Sequence, residues 1–172
     1  SVEANQVARW RSGAWSSLSP PGGNGVGLAV MALTVADDGT GPALVAGGPF
    51  PGVGGVRARR VARWDGGAWS AFVGPSGSGP EPWVESLCAV GSGPSATLYA
   101  GGVGSMFWPG AHALVWRWDG SDWSVPPGSP IAEVGSMAAS ALTTWDDGSG
   151  PALFVAGGFG EAGGATVNNL AR

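Results

Sequence analysis

The phrase Val61-Ala-Arg-Trp-Asp-Gly-Gly-Ala-Trp-Ser70 constrains this chain more than any other part of it. It reads as a short strand, an Asp65-Gly66 turn and a second strand opened by Trp69, because Asp-Gly supplies the positive φ that a tight turn needs. The same phrase stands at Val7–Ser16 and, loosened, at Val115–Ser124, and it starts again at Leu170-Ala171-Arg172. Trp10, Trp64 and Trp118 are spaced by 54 residues, as are Trp15, Trp69 and Trp123. A fixed period of this size means one supersecondary unit used repeatedly, with neighbours stacked to bury faces that no unit buries alone.

The rest of each repeat is also strand and turn. Met31–Val35, Ser86–Val90 and Ala139–Thr143 are short apolar runs, as expected of strands buried on both faces. Turns follow at Asp37–Pro42, Gly91–Pro94 and Asp146–Pro151, where Pro restarts an extended chain. Then come Ala43–Gly48, Thr97–Gly102 and Leu153–Gly158, each an apolar run ending in Gly-Gly. A Gly pair closing a strand marks a bulge or a close backbone approach, where a neighbouring sheet leaves no room for Cβ. Each repeat is therefore four short antiparallel strands, too small to be stable alone.

These residues resemble the kelch repeat. The resemblance is carried by Gly47-Gly48, Trp64 and Trp69 in one repeat and by Gly101-Gly102, Trp118 and Trp123 in the next, and it covers nearly the whole chain. It departs from the family in having Trp where Tyr is usual on the third strand, and in the Asp-Asp-Gly-Ser/Thr-Gly-Pro turns. The resemblance implies an all-β fold: a β-propeller segment of four-stranded antiparallel kelch-like blades, about three repeats of 54 residues in one domain. Residues 1–18 are strands three and four of a blade, 27–73 and 83–126 are blades, and 135–172 is an incomplete blade. A ring of 4–8 blades then needs more strands, so the segment is expected to belong to a larger ring, completed by further sequence or a second copy. The chain begins at Ser1 without an initiator Met or signal segment, the sign of a processed start or an excerpt. A β-trefoil is the rival fold, but its repeats are shorter and its Gln-x-Trp signature is absent.

Composition narrows function mainly by exclusion. The net charge of −4 makes no electrostatic case for nucleic acid or an anionic membrane, and no apolar run is long enough to span a bilayer. All eight basic residues are Arg, a composition suggesting a bacterial source, and an extracytoplasmic or surface location is expected. With one His, one Cys and one Tyr, no catalytic or metal-binding constellation assembles, so neither an enzyme nor a cofactor is expected. Cys88, in an apolar run, reads as a buried inert thiol. Asp37-Asp38 and Asp146-Asp147 read as hairpin turns and not as Ca²⁺ ligands, because no Asp-x-Asp-x-Asp spacing occurs. The register-matched Arg9, Arg63, Arg117 and Arg172 read as partners of turn acids or backbone carbonyls. Arg57, Arg59 and Arg60 read as solvated edge charges.

What differs between repeats is informative. Two loop classes vary each time: 49–56, 103–111 and 159–166 after the Gly pair, and 19–26, 74–82 and 127–134 between repeats. In an up-and-down blade both emerge on the same face, and binding residues concentrate on loops held by a rigid scaffold. The middle repeat is the most unusual, so Trp83, Met106, Phe107, Trp108 and His112 are the expected partner-binding residues. The expected function is a non-catalytic protein-binding scaffold, whose partner is another protein or further copies or blades of the same one. The alternatives are a carbohydrate-binding, lectin-like propeller or trefoil that takes a glycan, and the scaffold part of a larger enzyme.

Overall fold

The computed structural model describes residues 4, 6–18, 25–37, 40–81, 83–91, 96–103, 112–129, 131–132 and 138–172. These residues are all-β, arranged in several antiparallel sheets with no helix, and so with none long and apolar enough to cross a membrane. β1 (Ala8–Arg11) and β2 (Ala14–Ser17) form a hairpin closed by Ser12 and Gly13, both at positive φ. Next come β3 (Ala32–Asp37), β4 (Pro42–Gly47), a small hairpin of β5 (Gly52–Val53) and β6 (Val56–Arg57), then β7 (Val61–Trp64) and β8 (Trp69–Ala71). Strands β3-β4-β7-β8 make a four-stranded sheet in that order.

The next repeat lays down β9 (Trp83–Val90), β10 (Thr97–Val103), β11 (His112–Ala113), β12 (Val115–Trp118), β13 (Trp123–Ser124) and β14 (Ile131–Ala132). Its sheet runs β9-β10-β12-β13, with β11 paired to β14 beside it. The last repeat contributes β15 (Ala141–Asp146), β16 (Pro151–Ala156), the hairpin β17 (Glu161–Ala162) and β18 (Ala165–Thr166), and β19 (Leu170–Ala171). There the sheet is β15-β16-β19.

Hydrophobic clusters join consecutive sheets. Val7, Leu18, Phe50, Val53 and Trp69 seal the first hairpin to the β3–β8 sheet. Val45, Phe72, Val84, Leu98, Trp118 and Trp123 join that sheet to the next, and Leu114, Val115, Ala139, Val155 and Phe159 join the next to the last. Apolar area removed from water at these seams, at about 25 cal/mol per Å², is what a lone four-stranded meander lacks.

The first strands of the three sheets lie side by side, β9 touching β3 on one flank and β15 on the other. Burial on both faces, expected for all three, holds for the middle of β9, where Val84, Ser86 and Leu87 are buried. It does not hold for β3 and β15. Leu33 is 51% exposed, and Val35 and Trp145 are exposed as well, because each of these strands has such a neighbour on one flank only.

The Gly pairs explain themselves sterically. A Cβ on Gly48, Gly102 or Gly157 would run into the backbone carbonyl of Ala29, Trp83 or Ala138, at the entry to the sheet's own first strand. A Cβ on Gly47 would meet Val84 of the following sheet, and one on Gly101 would meet Ser86 and Ala139. In the last sheet the register slips by one: Ala156 pairs with Ala141 as Gly47 pairs with Ala32. Gly157 therefore takes the place of Gly48, and Gly158 has open space where a Cβ would go.

Candidate functional site

Up-and-down connectivity sends the two repeated turns of each sheet to one end and the two variable connections to the other. The repeated turns are built round their own acids. Asp65 Oδ1 accepts hydrogen bonds from the Gly67 and Ala68 amides, at 2.8 and 2.9 Å. Asp119 does the same for Ser121 and Asp122, both at 2.9 Å. These amide donors hold both carboxyls below the usual aspartate range, led by Ala68 for Asp65 and by Asp122 for Asp119. Asp37 and Asp146 accept from Gly41 and Gly150 across the other turn, each at 3.0 Å. Asp147 takes the Arg172 guanidinium at 2.7 Å, so one of the recurring arginines does pair with a turn acid. Among the described residues, no three of the His, Cys, Asp and Glu side chains gather in a way that could hold a metal ion. Cys88 is half-buried in β9, and desolvation pushes its thiol up despite a hydrogen bond to Thr144.

The variable connections, by contrast, are tied to one another. Val26 bridges Val53, and the Gly54 amide donates to the Gly25 carbonyl at 2.9 Å. His112 and Ala113 pair with Ala132 and Ile131. The Gly163 amide donates to Gly128 at 2.9 Å. Two of these loops carry their own hairpins, turning on Gly54-Gly55 and Gly163-Gly164, all at positive φ as a type I′ turn requires. A Gly-Gly pair between short alternating runs is a hairpin signal that loop assignment by composition passes over. The connection 74–82 is held at its start by the next sheet, where the Ser76 amide donates to Asp122 Oδ2 at 3.1 Å.

Of the residues singled out by sequence, Trp83 opens β9, is 47% exposed and faces Val103 across the β9–β10 ladder. The ladder thus puts Trp83 beside the root of the loop that carries Met106, Phe107 and Trp108, residues that lie outside those described. His112 stands at that loop's other root, paired with Ala132. The Trp pairs sit directly opposite each other across their hairpins, with ring centroids 5.2 to 5.6 Å apart. Trp69 and Trp123 are core residues. Each donates its indole N–H at 2.8 Å to a buried carbonyl of the preceding repeat, Leu18 and Phe72 respectively. Trp10 and Trp15 are 55% and 58% exposed.

Two concave places stand out. A cavity of about 560 Å³, lined by Val115, Pro126, Leu153, Val155, Val167 and Leu170 among others, lies between the last two sheets. Pro126, in its wall, stands one 54-residue period after Phe72, whose carbonyl accepts the Trp123 indole N–H. The second, about 190 Å³, is lined by Arg57, Arg59, Arg60, Pro51, Pro80 and Glu81. Sequence reading treats these arginines as edge charges. The fold instead sets them against the 74–82 connection, with Arg59 Nη1 at 3.4 Å from Glu81 Oε1. No family model, curated protein or solved structure matches this chain.

Proposed function

We propose that the chain is a non-catalytic protein-binding scaffold, a segment of a bacterial, extracytoplasmic kelch-like β-propeller that offers the variable end of its sheets to a partner. The observation that carries this reading is the knitting together of the two variable loop classes, through Val26 and Val53, through His112 and Ala132, and through Gly128 and Gly163. Loops that differ from repeat to repeat yet are fastened in pairs and held by rigid sheets are the usual design of a recognition face. The ring reading draws on the first strands β3, β9 and β15 lying side by side and on the cavity beside Pro126. A further Trp-bearing strand, from more blades or a second copy, would close that cavity as Trp69 and Trp123 close the earlier seams.

The test is a three-way affinity capture. One bait is the chain, one carries Trp83→Ala, Phe107→Ala and Trp108→Ala, and one carries Asp65→Asn and Asp119→Asn at the opposite turns. A partner purified from the first capture should bind the turn variant as it binds the chain, and should bind the loop variant at least about tenfold more weakly. A partner indifferent to the loop changes and sensitive to the turn changes would overturn the reading.

A further inference from the structure

The Arg57–Arg60 turn breaks the pattern of its own repeat. Arg60 and Asn169 occupy the same structural position in two sheets. Each donates its amide to a buried Phe carbonyl, Phe50 or Phe159, at 3.2 Å, and each accepts at 3.1 Å from the amide of a close-approach glycine, Gly48 or Gly157. Both are left-handed, with φ of 77° and 63°. In the last sheet the pair is Asn168-Asn169, and Asn is the non-glycine residue that accepts this backbone most readily. In the β3–β8 sheet the pair is Arg59-Arg60, and Arg59 is left-handed too, at 41°. Two successive arginines in a conformation that disfavours them are held there by surrounding structure, and strain of this kind collects at functional sites.

The three side chains do different things. Arg60 is anchored, its Nη1 donating to the Pro49 carbonyl at 2.7 Å. Arg59 makes a long, half-exposed contact with Glu81. Arg57 is exposed and, among the described residues, has no hydrogen bond or ion pair. Gly79 packs its Cα side against Arg59, 3.1 Å from where a Cβ would stand, which brings the 80–81 wall of the groove close. Three of the chain's eight basic residues thus converge on one concavity in a molecule of net charge −4. An overall negative field repels extended polyanions, whereas two guanidinium forks at short range suit single carboxylates. Glu81 is already such a carboxylate, held loosely.

We propose that this groove is a carboxylate-binding site, in which an acidic side chain or terminal carboxylate of a partner protein displaces Glu81 and is gripped by Arg57 and Arg59. The Arg60 guanidinium is already taken up by the Pro49 carbonyl. The proposal rests on the scaffold reading for its ligand's source, but the site is testable alone. The probe is citrate, titrated at constant ionic strength and followed by the arginine Nε–Hε resonances, with inorganic phosphate in a parallel arm. Citrate should give saturable shifts at Arg57 and Arg59. Binding should weaken at least about tenfold in the Arg59→Asn, Arg60→Asn double variant, because charge-assisted hydrogen bonds are lost, and should tighten in Glu81→Gln. The double variant carries the pair that the last sheet already folds with. Should it fail to fold, Arg57→Gln makes the same comparison from an exposed position. Equal citrate affinity across these variants, or phosphate binding more tightly than citrate, would overturn the proposal. Citrate binding through the arginines without a partner on the loop face would leave the site standing and remove the scaffold reading. A loop-face partner with no citrate site would remove the site alone.

Discussion

At the scale of single residues, the seams depend on a few groups that no neighbour can replace. Trp123→Phe keeps most of the apolar contact but leaves the Phe72 carbonyl without its 2.8 Å donor. It should cost about 1–3 kcal/mol in urea unfolding, the penalty for a buried acceptor left unpaired. Gly102→Ala would push a methyl into the Trp83 carbonyl and should cost about 1–3 kcal/mol or more. Gly158→Ala, with open space around it, should be close to neutral. Equal effects at the two glycines would refute the close-approach account. The turn acids make a pH prediction. Asp65 and Asp119 have folded-state values below those of the unfolded chain, so they bind fewer protons when folded. Their contribution is complete above about pH 4 and fades as pH falls through the lower folded value. Asp65→Asn with Asp119→Asn should therefore flatten the stability curve on its acid side, measured by urea unfolding from pH 6 to pH 2.

At the scale of elements, strand positions follow from alternation and turn chemistry, so β3, β4, β7, β8, β9, β10, β12 and β13 were legible in the repeat. The short hairpins β5–β6 and β17–β18 were not, because two-residue strands carry no periodicity and only their Gly-Gly turns announce them. The one-residue slip that puts Ala156 where Gly47 and Gly101 stand was equally hidden. Counting Gly-Gly pairs aligns them by name, while the ladder aligns them by hydrogen bonds and by what the next sheet presses against. The Arg59-Arg60 turn tests this scale directly. Replacing the pair by Asn removes two strained left-handed arginines and should raise stability by about 1 kcal/mol, seen as a higher midpoint at unchanged m. A lower midpoint would mean that the lost Arg60–Pro49 hydrogen bond outweighs the strain relieved.

For the whole molecule, stability should be uneven. β9 and β10 lie between seams on both sides, whereas β1 and β2 form a two-stranded hairpin with both Trp residues exposed. Amide exchange should be slowest in β9 and β10 and fastest in β1 and β2; a uniform profile would contradict separate seams. By itself the sequence determined the repeat, the four-strand order within a sheet and the turn chemistry, because these rest on residues a few positions apart. Only the tertiary structure decided which indoles are buried, which face of β3 stays open, and that Arg57, Arg59 and Glu81 share a groove. Those outcomes depend on what packs across a seam. Trp69 and Leu18, or Trp123 and Phe72, meet from positions 51 apart, and no local pattern records whether a neighbouring sheet is there to meet them.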